Sequence, residues 1–247
     1  MSILEVKGIT KTFGGVTALD SVSVDVEENS LLGIIGPNGS GKTTFVNIVT
    51  GFVSPDRGSV LFKGKELIGL PPYTVTNRGI GRAFQMVKPF FHLPAFKNLI
   101  VPLSSRRVKA FSGGGYGDKD AIALDILEEV GFERDSSVPY KTANVLPHGY
   151  LKRLELARLI ALKADIFILD ELFSGLSIAE VTSIIPVIEK LLQEGKTVIM
   201  VEHRLKELFR IAHKVIVLNY GKKIKEGPPK EILEDEEVKK AYLGVEV

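Results

Sequence analysis

The segment Gly36-Pro-Asn-Gly-Ser-Gly-Lys-Thr43 fits the spacing G-x4-G-K-[ST] and carries the most specific chemistry in the chain. Phosphate oxygens need several convergent donors, and successive backbone N–H groups on a tight curl supply them. Gly36, Gly39 and Gly41 allow that curl without side chains blocking the approach of a ligand. Lys42 adds a full positive charge for the β- and γ-phosphates, and the Thr43 hydroxyl is a hard oxygen donor of the kind Mg²⁺ takes. The segment follows the apolar run Leu31–Ile35 and precedes a predicted helix from Lys42 to about Thr50, the setting in which a helix N-terminus adds its dipole.

A second constellation is Ile166-Phe-Ile-Leu-Asp-Glu171. A buried strand that ends in acids at its carboxyl edge directs them toward the ligand crevice of an α/β sheet. Asp170 is placed to hold Mg²⁺ through water, and Glu171 to polarise an attacking water.

The elements that must position these residues are visible in the pattern. Residues 3–26 alternate apolar and polar side chains, as in a half-buried antiparallel sheet. Leu31–Ile35, Ile166–Leu169, Thr197–Val201 and Val215–Leu218 are continuous apolar runs, expected to be buried strands and too short for the ~20 residues of a membrane span. A strand is predicted over 58–63 after an Asp56-Arg57-Gly58 turn. Helices are predicted at about 119–130 and 149–163. Another begins at the capping box Ser177-x-x-Glu180, is kinked by Pro186 and ends at Gly195. Ser104–Asp120, with Ser112-Gly113-Gly114-Gly115, lacks apolar periodicity and is expected to be a mobile loop. The organisation read from this is 1–85 as the first part of a core with an antiparallel β subdomain, 86–165 as an inserted helical subdomain, and 166–247 as the second part of the core. Strand–helix alternation implies a mainly parallel sheet.

Composition narrows the function classes. The 32 basic and 30 acidic residues leave a net charge of +2, so no nucleic-acid partner is expected. Without cysteine there is no disulfide, cysteine nucleophile or thiolate metal site. The start, Met-Ser-Ile-Leu-Glu-Val, shows no secretory signal, and a cytoplasmic location is expected.

Taken together, the motifs resemble those of the nucleotide-binding subunits of ABC transporters over nearly the whole chain. Gln85 in Gly-Arg-Ala-Phe-Gln resembles the Q-loop glutamine, His203 in Val-Glu-His the switch histidine, and Ser174-Gly-Leu-Ser177 the D-loop. Phe13 resembles the aromatic that stacks on adenine. The resemblance implies a P-loop NTPase (RecA-like) α/β core and an ATPase using ATP and Mg²⁺. Nucleotide would be held by Phe13, Val16, Gly36, Pro37, Asn38, Gly39, Ser40, Gly41, Lys42, Thr43 and Thr44. Catalysis would fall to Glu171, His203, Gln85 and Lys42, and metal to Thr43, Gln85 and Asp170. It also implies a head-to-tail dimer, with itself or a paralogue, closed by ATP and reopened by hydrolysis. Transmembrane permease subunits would hold the chain at the inner membrane face, and a solute-binding protein would act indirectly.

Gly81-Arg-Ala-Phe-Gln and the tail Tyr220-Gly-Lys-Lys-Ile-Lys-Glu-Gly…Ala241-Tyr-Leu-Gly244 resemble the branched-chain amino acid importer ATPases, with the lipopolysaccharide-export ATPases similar. A non-transport assembly factor and a regulatory subunit with weak hydrolysis are the alternatives.

The signature departs from the family's Leu-Ser-Gly-Gly-Gln. Here it reads Leu146-Pro147-His148-Gly149-Tyr150. Pro147 has neither a hydroxyl nor an N–H, so two donors to the partner's γ-phosphate are lost, with His148 a candidate replacement for one. Pro147 is tolerable in a first helical turn. Leu172 stands where the family usually has proline. Lys42→Ala is expected to abolish nucleotide binding. Calorimetry is the check, and unaltered ATP affinity would refute the phosphate role of the loop.

Overall fold

The computed structural model describes residues 1–111 and 117–243. In chain order it has strands β1 (Ser2–Phe13), β2 (Val16–Glu27) and β3 (Leu31–Ile35), helix α1 (Lys42–Val49), strands β4 (Arg57–Phe62) and β5 (Lys65–Glu66), and helix α2 (Pro72–Arg78). Strand β6 (Ile80–Ala83) precedes α3 (Ile100–Leu103), α4 (Arg106–Phe111), α5 (Lys119–Glu129) and α6 (His148–Ala161). Then come β7 (Ile166–Asp170), α7 (Ile178–Gln193), β8 (Thr197–Val201), α8 (Leu205–Ile211), β9 (Lys214–Asn219), β10 (Lys222–Gly227), α9 (Pro229–Glu234) and α10 (Glu236–Leu243). None of the described helices is long and apolar enough to cross a membrane.

The chain forms two compact units, Met1–Val75 with Gly195–Val247, and Thr76–Glu194. In the first, an antiparallel sheet runs β2-β1-β4-β5. Its alternation buries Val22, Val24 and Val26. The same unit carries β3 flanked by β8 and β9, both parallel to it, with β10 antiparallel at the edge of β9. Strands β3 and β8 are buried along their whole length, which explains their unbroken apolar sequence. Of the expected Asp56-Arg57-Gly58 turn only Asp56 is a bend, and Arg57 and Gly58 open β4. Gly58 has φ +96°, and a Cβ there would lie 2.6 Å from the Gly8 carbonyl, so it marks a close approach where the β1–β4 register shifts between Lys7 and Thr10.

In the second unit β6 and β7 run parallel, pairing Ile80 with Ile166 and Arg82 with Ile168. The segment expected to be a mobile loop, 104–120, is helical over Arg106–Phe111, and Ser112–Gly115 lies outside the described residues. Helix α4 has a polar cause that apolar periodicity cannot reveal. Arg107, 9% exposed, donates to the carbonyls of Lys163 and Arg78 and pairs with Asp165 at 3.0 Å, while Val108 is buried beside it. Helix α7 passes through Pro186, which lies on its exposed face, and continues to Gln193. The capping box at its start is formed: the Ser177 hydroxyl accepts from the Glu180 N–H, and the Glu180 carboxylate accepts from the Ser177 N–H and hydroxyl. Those donors, the Ser177 N–H first, hold the Glu180 carboxyl below its ordinary range.

A depressed folded-state carboxyl stabilises above its unfolded value and stops doing so as pH falls through the folded one. Ser177→Ala should cost about 1 kcal/mol at neutral pH through loss of the side-chain cap. The deficit relative to wild type should shrink below the ordinary glutamate range, measured by urea unfolding at several pH values.

Candidate functional site

The phosphate-type loop belongs to the first unit. Gly36 follows β3 with φ +152°, where a Cβ would come within 2.1 Å of the Leu218 carbonyl and 2.6 Å of the Ser40 hydroxyl. Gly41, the N-cap of α1, has φ +105°, and a Cβ there would meet the Ala18 carbonyl at 2.5 Å. No side chain fits either position without a shift of backbone. The loop is tied down behind by the β9–β10 turn: the Gly221 N–H donates to the Ser40 carbonyl, and the Asp20 N–H to the Gly221 carbonyl.

Lys42 is 7% exposed and folds back over the loop, its Nζ donating to the carbonyls of Gly36 at 2.7 Å and Pro37 at 2.9 Å. The Ser40 hydroxyl is buried with no hydrogen-bond partner among the described residues. A buried ammonium on loop carbonyls, an orphaned hydroxyl and the N-terminus of α1 together fit an anionic ligand. Asn38, Gly39 and Thr43 are exposed, and Pro37 and Thr44 are half-buried. Phe13 and Val16, at facing ends of the β1–β2 hairpin, are 48% and 69% exposed, so neither is a core residue. Lys11 Nζ lies 5.3 Å from the Phe13 ring centre. His203 follows β8 and is exposed.

In the second unit β7 delivers the acid pair. Asp170 is 5% exposed, and its Oδ2 accepts from Arg82 Nη2 at 2.6 Å. Both side chains of this ion pair are buried, at 8% and 6% exposure. Mg²⁺ keeps much of its water shell, so a carboxylate already engaged by a guanidinium can meet it through water. The donor types at Thr43, Gln85 and Asp170, a hydroxyl, an amide oxygen and a carboxylate, are the hard oxygens that Mg²⁺ takes.

Glu171 stands at φ +51°, a left-handed conformation that a non-glycine residue holds only when its surroundings over-determine it. Gln85 Nε2 donates to its Oε2 at 2.7 Å. Lys152, 1% exposed on α6, donates to the main-chain carbonyls of both Glu171 and Gln85. Leu172, at the usual proline position, is 1% exposed and serves as core.

The signature-like segment opens α6. Pro147 is the N-cap, one residue ahead of the first turn expected for it, and its carbonyl accepts from the Leu151 N–H. Leu146 is buried. His148 Nε2 lies 3.3 Å from the Ser174 carbonyl, so the ring is turned to the D-loop-like segment of its own chain. A Cβ at Gly149 would meet Glu180 Oε1 at 2.2 Å, so a larger residue there would displace the carboxylate that closes the capping box. Tyr150 packs edge-on against Phe132 at 4.9 Å.

Arg82 and Lys152 were not among the residues expected from sequence. A signal existed for each. Arg82 interrupts the otherwise apolar β6, and Asp170 is the acid on the adjoining strand. Lys152 falls on the buried face of α6, where an ammonium requires acceptors.

The family profile described as ABC transporter matches residues 19–174. The chain belongs to the ABC transporter family. It is an ATP-binding cassette, the ATPase subunit of such a system. A second profile, described as branched-chain amino acid ATP-binding cassette transporter, matches residues 222–247 of this cassette. The cassette is 35% identical to the high-affinity branched-chain amino acid transport ATP-binding protein BraF of Pseudomonas aeruginosa, over 98% of each chain. It is 32% identical to the probable branched-chain amino acid transport ATP-binding protein LivG of Archaeoglobus fulgidus, over 100% and 97%. Among solved structures it matches the ADP conformation of an ATP-binding cassette of an ABC transporter, with a TM-score of 0.86, 30% identity and coverage of 99% and 100%. It also matches a dimeric post-hydrolysis cassette bound to ADP and Pi, with a TM-score of 0.80, 26% identity and coverage of 92% and 98%.

Breaking the buried Arg82–Asp170 pair from one side leaves an uncompensated carboxylate. Arg82→Met should destabilise the cassette by roughly 3–5 kcal/mol. Adding Asp170→Asn should recover most of that loss in urea unfolding, and no recovery would show that Arg82 acts through other contacts.

Proposed function

We propose that this cassette is the ATP-hydrolysing subunit of an importer for branched-chain amino acids or similar solutes. The observation that carries the reading is the match of the tail, residues 222–247, to the branched-chain amino acid cassette profile, supported by relatives of that description along the full length. It resides on the cytoplasmic face of the membrane through permease subunits, pairs with a second cassette that is itself or a paralogue, and serves a solute-binding protein indirectly. Residues 1–85 and 166–247 handle nucleotide in this reading, and 86–165 carries the signature and the permease contact.

In the proposed mechanism Phe13 stacks on adenine beside Val16, and the backbone of Gly36–Thr43, with Pro37, Asn38, Ser40 and Thr44 around it, holds the phosphates. Lys42 leaves the Gly36 and Pro37 carbonyls for phosphate oxygens. Thr43, Gln85 and Asp170 are the residues that would hold Mg²⁺, which supplies charge to offset that of the β- and γ-phosphates. Glu171 accepts a proton as the water oxygen bonds to the γ-phosphorus and the bond to the ADP oxygen breaks. Gln85 orients the carboxylate, and His203 stabilises the developing phosphate charge.

Leu146–Tyr150 contributes to the partner's nucleotide with fewer donors than usual. A paralogue with a full signature would therefore complete this chain's nucleotide site better than a second copy would. The permease contact falls to Met86, Phe90, Phe91 and Leu93, which are 42% to 72% exposed. Phe90, Phe91 and Leu93 sit on a segment held by Asn98, whose fully buried amide accepts from the Phe90 N–H and donates to the Pro94 carbonyl. Exposed aromatics on an ordered backbone suit docking.

Glu171→Gln tests this reading. In cells lacking the gene, the wild-type chain should restore uptake of labelled leucine and the variant should not. The purified variant should dimerise on MgATP and hydrolyse it at least about 100-fold more slowly. Uptake restored by the variant would overturn the assignment.

A further inference from the structure

Lys152 closes a ring of hydrogen bonds that no assigned role explains. Its Nζ donates to the Gln85 carbonyl at 3.0 Å and the Glu171 carbonyl at 3.1 Å, and Gln85 Nε2 donates to Glu171 Oε2 at 2.7 Å. Three residues from three elements are thus joined in one cycle: the signature helix α6, the segment after β6, and the end of β7. Lys152 is 1% exposed, deep enough that its ammonium must be held by acceptors. The two carbonyls named belong to the glutamine and glutamate whose side chains face each other. Glu171 also sits at φ +51°, the kind of conformation that persists only under restraint from several sides.

We propose that Lys152 is a positioning residue for hydrolysis: it fixes the Gln85 and Glu171 backbones so that their side chains meet, and it ties that pair to the signature helix. The proposal rests on the reading of Glu171 and Gln85 as the residues that handle water. A carbonyl anchor of this type restrains orientation without touching the nucleotide, so its loss should appear in turnover and leave affinity alone. Because Lys152 lies one turn from the start of α6, displacement of that helix when it engages the partner's nucleotide would act on the water-handling pair through one rigid contact.

Steady-state hydrolysis of MgATP by the full chain, at concentrations that saturate dimerisation, is the test. Lys152→Met keeps the apolar stem and should lower kcat at least about 10-fold, with KM and nucleotide affinity within about 2-fold. Lys152→Arg, which keeps a cationic donor, should restore most of the rate. If the methionine variant does not fold, Lys152→Gln takes its place, with the same pattern at smaller size.

Independently of turnover, amide hydrogen exchange over 84–87 and 171–174 should rise about tenfold in the methionine variant. Wild-type kcat, a loss confined to KM, an arginine variant as slow as methionine, or unchanged exchange would each overturn the proposal. Glu171→Gln separates two failures. Hydrolysis that survives it removes the water-handling reading and this proposal with it. Hydrolysis lost there but kept in Lys152→Met removes the positioning role alone.

Discussion

Successive backbone N–H groups converge on an anion where the chain curls tightly, and the loop after β3 curls so tightly that two of its positions admit no side chain. Gly36 and Gly41 each sit where a Cβ would fall within 2.5 Å of a neighbouring carbonyl. The closeness comes from the scaffold, because the Ala18 and Leu218 carbonyls belong to the strands that brace the loop. Glycine there is a consequence of packing as much as of ligand. The loop keeps its curl because Lys42 and the Gly221 N–H satisfy its carbonyls.

The second unit obeys a different rule: each buried charge is met. Arg82 meets Asp170, Lys152 meets two carbonyls, Arg107 meets Asp165 and two more, and Arg158 meets Glu155. Removing one partner of such a set is costly because the other stays desolvated. The unit therefore holds its acid pair by hydrogen bonding as well as by apolar packing. That is consistent with a non-glycine residue at positive φ surviving at Glu171.

This division explains what could be read before the structure. Apolar runs gave β3, β7, β8 and β9 almost to the residue, since a strand buried along its length needs no partner-specific signal. The capping box at Ser177 and Glu180 was legible because both halves lie within one turn. Helix α4 was not, because Arg107 is anchored by carbonyls at 78 and 163, far away in sequence. Arg82 and Lys152 escaped for the same reason: their partners lie 88 residues away in one case, and 67 and 19 in the other. Leu172 had no account in sequence, and its burial supplies one.

We propose that the glycine curl holds the nucleotide's phosphates and that Lys42, which rests on the Gly36 and Pro37 carbonyls, moves onto them. The most direct measurement is a crystal structure of the chain with MgADP. It should place the β-phosphate within hydrogen-bond reach of the N–H groups of Gly39–Thr43, with Lys42 Nζ moved from the Gly36 and Pro37 carbonyls onto a phosphate oxygen. Nucleotide density elsewhere, or Lys42 still on the Gly36 carbonyl beside a bound phosphate, would contradict the account.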